Sequence, residues 1–163
     1  MYGDINADFG KCFDGERMNE PCGLAARADD IDEIADRRPE NSLGHVAAAG
    51  VATAVKLRQE KKAVVTTCGD GASSRGDFYE ALNVAGVWHL PLVVMINNNQ
   101  WAISVPLSQQ TACHTLAQKA VAAGIPSVQV DGNDFFAVAI VLEAALQRAR
   151  EGKGATLIEA VTY

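Results

Sequence analysis

The sequence predicts an α/β fold, with a mainly parallel β-sheet and helices on both faces, and three observations support this prediction. Short apolar runs that suit buried strands alternate with longer segments whose apolar residues recur at helical spacing. The first run ends at glycine and the second at a row of asparagines, which are residues typical of loops. Strands that alternate with helices form mainly parallel sheets with right-handed crossovers.

Four strands and four helices are predicted along the chain. The strands are expected at residues 63–68, 91–96, 127–130 and 155–162, and the helices at 45–62, 76–90, about 115–123 and 133–152. The last helix is expected to begin at an N-cap, Asn133 or Asp134, and to stop at Gly152. Residues 104–114 are predicted to form a loop. The inward-facing residues expected in the second and fourth helices are Phe78, Leu82, Ala85 and Trp88, and then Phe135, Val138, Ala139, Leu142, Leu146 and Ala149.

Residues 1–45 differ from this regular pattern. They are polar, and glycine, proline and asparagine interrupt them. Their acidic run, residues 28–40, predicts at most a short helix that ends before Pro39. The sequence is therefore predicted to contain an irregular acidic N-terminal segment, 1–45, followed by an α/β domain, 46–163.

Composition excludes several classes of partner and site. The net charge is −6, and no cluster of Lys and Arg alternates with aromatic residues, so nucleic acid is not an expected partner. The longest apolar stretches are too short to span a bilayer, and the acidic N-terminus fits neither a secretory signal nor a transit peptide. The expected compartment is therefore the cytoplasm. The cysteines form no C-x-x-C pair, so reduced thiols are expected rather than a zinc site: Cys12, Cys22, Cys68 and Cys113.

Polar motifs follow two consecutive predicted strands: Gly-Asp-Gly at 69–71 and three asparagines at 97–99. If these strands are parallel neighbours, both motifs leave the same edge of the sheet, where α/β folds bind their ligands. Gly69 and Gly71 allow backbone N–H groups to approach a phosphate closely. The helix that opens near Gly76 adds the positive end of its dipole.

The aspartate of the first motif points to a metal ion. Asp70 alone would repel a phosphate in a protein that already carries a net negative charge. Two unit charges about 4 Å apart interact by about 4 kcal/mol at the effective dielectric constant near a protein surface. A Mg²⁺ ion between them removes this repulsion, because it binds carboxylate, carboxamide, backbone carbonyl and phosphate oxygens. A phosphate held through Mg²⁺ is therefore the predicted ligand.

The two motifs together resemble the thiamine-diphosphate fingerprint, since 26 residues, 72–97, separate Gly71 from Asn98. The wider stretch GDGASSRGDFYEALNVAGVWHLPLVVMINNNQWAISVP is similar to the alpha subunits of the first component of 2-oxoacid dehydrogenase complexes. It looks most like those of bacterial pyruvate dehydrogenases (acetyl-transferring). Further similar pieces are QTA, LAQKAVAAGIPSVQVDGND and LIEAVTY.

The resemblance covers about residues 46–163 and implies a thiamine-diphosphate-binding fold. Residues 1–45 do not share it. The family continues past the last residues, EAVTY, into a loop that bears a functional His, so the domain is expected to be truncated at its C-terminus.

The resemblance implies roles for individual residues. Asp70 would bind Mg²⁺ through its carboxylate, Asn99 through its side-chain oxygen and Trp101 through its backbone carbonyl. The amides of Gly71 and Ala72 would hold the diphosphate. Thiamine diphosphate and Mg²⁺ are therefore the expected cofactors.

Four further residues belong to the expected site or its surroundings. Gly69 is expected in the cofactor-binding turn, and the Ser73 hydroxyl either supports that turn or contacts phosphate. The family often has Glu-Asn-Asn at 97–99, so the departure at Asn97 leaves the expected ligand Asn99 in place. For Glu80 two interpretations remain open. It either supports the site or lies in a subunit interface, or it is a solvated surface charge.

The resemblance also implies an activity, the oxidative decarboxylation of a 2-oxoacid, expected to be pyruvate, with acyl transfer to lipoyl groups. In this family the glutamate that activates the cofactor belongs to the beta subunit, so no catalytic residue is assigned to this chain. The expected partners are that beta subunit, in a heterotetramer, and a lipoyl-bearing acyltransferase. The chain is expected to be inactive without the beta subunit.

Two alternatives to this activity remain open. One lies within the same class, the alpha subunit of a branched-chain 2-oxoacid or acetoin dehydrogenase. The other is a non-catalytic fragment or interaction protein that retains the fold.

Overall fold

A parallel five-stranded sheet forms the centre of the structure, a computed structural model that describes residues 34–35 and 44–163. The strands in chain order are β1 (Ile34–Ala35), β2 (Val64–Gly69), β3 (Leu92–Asn98), β4 (Trp101–Ala102), β5 (Val105–Pro106), β6 (Ser127–Asp131) and β7 (Thr156–Val161). The sheet has the order β1-β2-β3-β7-β6, and all its pairings are parallel. Strands β4 and β5 form a separate antiparallel hairpin.

Helices cover both faces of this sheet, as the sequence predicts. They are α1 (Gly44–Leu57), α2 (Gly76–Val87), α3 (Leu107–Gln110) and α4 (Phe135–Arg150), with 3-10 helices at Gly71–Ser74 and Leu116–Ala123. Helices α1 and α2 and the 3-10 helix Leu116–Ala123 pack on one face of the sheet. Helix α4 packs on the other face.

Alternate residues of the central strand β3 enter the two cores. Leu92, Val94 and Ile96 pack beneath α1 and α2, whereas Val93 and Met95 pack against α4. Side chains of a strand point alternately to opposite faces, so a strand covered on both sides needs an unbroken apolar run. This is why the run before the asparagines is apolar at every position.

The capping residues predicted for α4 are confirmed and made more specific. Asp134, rather than Asn133, is the N-cap, and its carboxylate accepts hydrogen bonds from the backbone N–H groups of Phe136 and Ala137. Gly152 follows the helix with φ +73°, a left-handed conformation that favours glycine.

The structure corrects three expectations about local structure. Ile34 and Ala35 form a short strand beside β2 instead of part of a helix, because they pair with the free edge of that strand. The rest of residues 1–43 lies outside the described residues. The predicted loop 104–114 contains β5 and α3, and the predicted helix around 115–123 is a 3-10 helix.

Two residues predicted to face the core are exposed. Trp88 is 53% exposed because α2 ends at Val87, and Phe135 is 75% exposed because it is the first residue of α4. Both lie at helix ends, where an extrapolated helical period no longer fixes the direction of a side chain. No helix in the described part of the chain is both long and apolar enough to cross a bilayer.

Gly86 in α2 allows close approach of the 3-10 helix Leu116–Ala123. A Cβ atom at this position would lie 2.1 Å from the carbonyl oxygen of Ala123. We therefore expect Gly86→Ala to destabilise the fold by about 1–3 kcal/mol, the usual cost of overpacking a core contact. Urea unfolding followed by circular dichroism measures this change in the free energy of unfolding.

Gly50→Ala in α1 is the matched control, because a Cβ atom there meets nothing within 4 Å. It is expected to stabilise the helix by about 0.5–1 kcal/mol. Equal stability changes for the two variants would contradict the proposed close contact at Gly86.

Candidate functional site

The two polar motifs lie side by side at one edge of the sheet. Strands β2 and β3 are parallel neighbours, with Cys68 opposite Ile96 and Gly69 opposite Asn97. The glycine turn (residues 69–74) and the asparagine loop (residues 97–101) therefore leave the sheet together at its carboxyl edge. The strand pairing expected from the sequence is confirmed, and this edge is where open α/β sheets bind ligands.

Asp70 is buried at the start of the glycine turn, with only 3% of its surface exposed. Its backbone carbonyl accepts hydrogen bonds from the Ser73 N–H at 3.1 Å and the Ser73 hydroxyl at 2.6 Å. Its carboxylate oxygen Oδ2 accepts a hydrogen bond from Gln110 Nε2 at 2.9 Å. A carboxylate has about four lone-pair sites, so this hydrogen bond leaves others through which Asp70 can bind a cation.

The β4–β5 hairpin and α3 fold back over the glycine turn. A Cβ atom at Gly71 would lie 2.6 Å from the Ala102 Cβ, so only glycine fits this contact. Gln110 of α3 donates from the same Nε2 to Asp70 and to the Val105 carbonyl, which fixes the orientation of its amide. These contacts bring the segment that follows the asparagine loop against the turn that follows β2.

The three asparagines have different surroundings. Asn98 is buried, and it donates to the Glu159 carboxylate at 2.7 Å and accepts from the Gln100 N–H at 2.9 Å. Asn99 is exposed, and its side-chain oxygen accepts a hydrogen bond from the Trp101 N–H at 3.0 Å. An amide oxygen has two lone pairs, so this contact leaves Asn99 one for a cation.

A buried lysine that was not predicted supports the glycine turn. The Lys119 ammonium donates to the Ser73 carbonyl at 2.7 Å, the Ser73 hydroxyl at 2.8 Å and the Ser74 hydroxyl at 3.4 Å. Burial lowers the pKa of Lys119, and nearby acidic groups that include Asp70 and Glu159 oppose this decrease. Ser73 therefore has its hydroxyl engaged within the turn.

Lys119, Glu159 and Gln110 are the residues of this edge that the sequence reasoning missed. A signal was present for two of them, since Lys119 and Glu159 are each the single charged residue in a mostly apolar predicted helix or strand. No local pattern marks Gln110, because its role depends on the fold of the hairpin.

The chemistry of the donors fits a hard cation. No group of three or more His, Cys, Asp or Glu residues able to hold a metal occurs among the described residues. A cation here would depend on one carboxylate with amide and backbone oxygens, which are ligands that Mg²⁺ accepts. Gln110 Oε1 is buried beside Asp70 and has no hydrogen-bond partner, so an acceptor is available for a cation or its bound water.

Comparison with known proteins identifies the family. A family profile described as "Dehydrogenase E1 component" matches residues 29–163, which is most of the chain. The match therefore also covers residues 29–45, which were expected not to share the resemblance. The chain belongs to the dehydrogenase E1 component family.

Curated relatives of this E1 chain are pyruvate dehydrogenase E1 component alpha subunits. It is 51% identical over 116 residues to that of Acholeplasma laidlawii, a match that covers 71% of this chain and 34% of the relative. It is 51% identical over 119 residues to that of Staphylococcus aureus (strain Mu50), covering 73% and 32%. It is 45% identical over 134 residues to that of Bacillus subtilis (strain 168), covering 81% and 36%. The E1 chain thus spans about a third of the length of these relatives.

A solved structure confirms the predicted fold class. The E1 chain is similar to the X-ray structure of a protein described as a thiamin diphosphate-dependent enzyme from Mycobacterium smegmatis, with a TM-score of 0.57 and 26% identity. The match covers 73% of this chain and 22% of the solved one. The α/β fold, with a mainly parallel sheet and helices, is therefore shared with that solved structure.

The two cysteines within the described residues of the E1 chain are both free thiols, as expected. Cys12 and Cys22 lie outside the described residues. Burial raises the pKa of Cys68 to about 12, so its thiol stays protonated at neutral pH. Cys113 lies at the surface.

Alkylation by iodoacetamide at pH 8 is expected to modify Cys113 at least about tenfold faster than Cys68, because the thiolate is the reactive species, the Cys68 thiol stays protonated, and Cys68 is only partly exposed. Peptide mass spectrometry measures the two rates separately. In guanidinium chloride both cysteines should react at similar rates. Similar rates in the folded protein would contradict the burial of Cys68.

Proposed function

We propose that this chain is the cofactor-anchoring part of a thiamine-diphosphate-dependent 2-oxoacid dehydrogenase alpha subunit, with pyruvate as substrate. The observation that carries the proposal is the buried Asp70 carboxylate in a glycine turn beside the asparagine loop, at the carboxyl edge of a parallel sheet. The names of the curated relatives support pyruvate rather than a branched-chain 2-oxoacid or acetoin.

In this proposal the chain binds the diphosphate through Mg²⁺. Asp70 contributes its carboxylate, Asn99 its side-chain oxygen and Trp101 its backbone carbonyl oxygen. The N–H groups of Gly71 and Ala72 hold the diphosphate.

Two further residues of the glycine turn complete this set. Gly69 allows the backbone to come close to the diphosphate. Ser73 contributes by keeping the turn in shape, since its hydroxyl hydrogen-bonds to the Asp70 carbonyl and to Lys119.

The chain's own part in the reaction is to bind and orient the cofactor. When bound, thiamine diphosphate supplies the carbon nucleophile and the electron sink for decarboxylation of a 2-oxoacid. No residue of this chain is assigned to proton transfer.

The proposal extends to partners that complete the site. A beta subunit supplies the glutamate that activates the cofactor, within a heterotetramer. A lipoyl-bearing acyltransferase receives the acyl group, and the assembly is placed in the cytoplasm.

Asp70→Asn is expected to weaken Mg²⁺-dependent binding of thiamine diphosphate by more than the roughly 10- to 100-fold that changes outside the first ligand sphere cause. The reason is that the variant removes the one carboxylate of the proposed ligand set. Isothermal titration calorimetry in the presence of Mg²⁺, with and without a bacterial pyruvate dehydrogenase beta subunit, measures the Kd.

Glu143→Gln is the matched control, because Glu143 is exposed on α4, a helix on the sheet face opposite α1 and α2. It removes one carboxylate and should leave the Kd unchanged. Equal Kd values for Asp70→Asn and the unchanged chain would contradict the role of Asp70 as a Mg²⁺ ligand. Absence of binding by the unchanged chain, even with the beta subunit, would favour the non-catalytic alternative.

The purified chain alone is expected not to decarboxylate pyruvate, even with thiamine diphosphate and Mg²⁺, because the activating glutamate lies on the beta subunit. Release of carbon dioxide from labelled pyruvate measures this reaction. Turnover by the single chain would show that it contains its own catalytic base.

A further inference from the structure

Two buried charged side chains outside the proposed ligand set connect the glycine turn to the asparagine loop. Lys119 is 4% exposed and Glu159 is fully buried. Both act through the 3-10 helix Leu116–Ala123. Lys119 lies on this helix, and the Glu159 carboxylate accepts a hydrogen bond at 2.9 Å from the N–H of Ala117 in its first turn.

Lys119 joins this helix to the glycine turn. Its ammonium has three donors, and three oxygens lie within hydrogen-bond reach: the Ser73 carbonyl, the Ser73 hydroxyl and the Ser74 hydroxyl. The ammonium also lies 6.0 Å from the centre of the Phe78 ring and 5.6 Å from that of Tyr79. Its contacts therefore fix the backbone on which the proposed diphosphate-binding amides lie.

Glu159 joins the same helix to the asparagine loop. Its Oε1 accepts from the Asn98 amide at 2.7 Å, and Asn98 Oδ1 accepts from the Gln100 N–H at 2.9 Å. Gln100 has φ +68°, a conformation that is strained for any residue except glycine, and it lies between Asn99 and Trp101. The hydrogen bonds from Glu159 through Asn98 thus end at the residue between the two proposed ligands.

Stability alone gives a poor account of these charges. Replacing buried ions by apolar residues of similar volume is often neutral or stabilising. Here each buried charge instead holds an irregular backbone segment at the sheet edge, and those two segments are the ones that carry the proposed ligands.

We propose that Lys119 and Glu159 are positioning residues that hold the glycine turn and the asparagine loop at a fixed separation, with the 3-10 helix Leu116–Ala123 as their common support. This inference depends on the proposed function, and it gives each residue a distinct part. Lys119 shapes the diphosphate side of the site and adds a positive charge beneath it. Glu159 shapes the metal side.

Two titrations by calorimetry test this inference on the full chain with a bacterial pyruvate dehydrogenase beta subunit. One varies thiamine diphosphate at saturating Mg²⁺, and the other varies Mg²⁺ at saturating thiamine diphosphate. Lys119→Met should raise the Kd for thiamine diphosphate by about tenfold or more, as the loss of an outer-shell partner does, and Lys119→Arg should recover part of the loss.

Glu159→Gln should act mainly in the second titration. Asn98 and Ala117 donate to different oxygens of Glu159, so a glutamine places an NH2 group, which is a donor, against one of these two donors. The Mg²⁺ concentration for half-saturation is expected to rise by roughly tenfold. The Kd for thiamine diphosphate, measured at saturating Mg²⁺, is expected to change less. If Glu159 had only a structural role, the variant would lower the affinities for Mg²⁺ and for thiamine diphosphate by similar factors.

Lys153→Met is the control for Lys119→Met, because Lys153 forms a surface ion pair with Glu151. Glu143→Gln serves the same purpose for Glu159→Gln. Urea unfolding without ligands identifies any variant that does not fold. If Lys119→Met fails to fold, the titrations of Lys119→Arg and Glu159→Gln test the positioning roles instead.

The outcomes separate this inference from the proposed function. Folded Lys119 and Glu159 variants that bind both ligands like the unchanged chain, while Asp70→Asn does not bind, would overturn only the positioning roles. An unchanged chain that does not bind thiamine diphosphate would overturn the proposed function and the positioning roles with it.

Discussion

The parallel pairing of β2 with β3 is the constraint on which the rest of the site depends. Its register, from Val64 opposite Leu92 to Gly69 opposite Asn97, places the ends of the two strands side by side. Because strand side chains alternate between faces, a slip of one residue in β3 would turn Asn98 to the opposite face of the sheet. Asn98 would then lose its buried partner Glu159. The register therefore decides which asparagine supports the loop and which one is exposed.

Packing of the apolar core fixes the polar groups as well. The 3-10 helix Leu116–Ala123 buries Leu116 and Ala120 in the same core as α1 and α2, and Gly86 allows it to approach α2 closely. Lys119 lies on this helix, so its position follows from the apolar contacts on either side of it. The core and the candidate site thus depend on the same packing. Apolar burial holds the 3-10 helix rigidly enough for its hydrogen bonds to position the two loops.

The charges at this edge also explain why a divalent cation suits the site. Asp70, Lys119 and Glu159 are all buried, and each has at least one hydrogen bond within the protein. Lys119 offsets one negative charge, which leaves the edge net negative where a diphosphate is proposed to bind. A Mg²⁺ ion reverses that balance.

The alternation of strands and helices, the parallel sheet and the meeting of residues 69–71 with 97–99 could all be predicted from the sequence, because they follow from hydrophobic period and chain connectivity. Capping is a local interaction, so the sequence also indicated an N-cap at Asn133 or Asp134 and a helix stop at Gly152. The folded structure was needed to show that Ile34–Ala35 adds a strand and that Lys119, Glu159 and Gln110 reach the site. Those features depend on contacts between residues far apart in sequence, and no local pattern encodes which distant segment a side chain will meet.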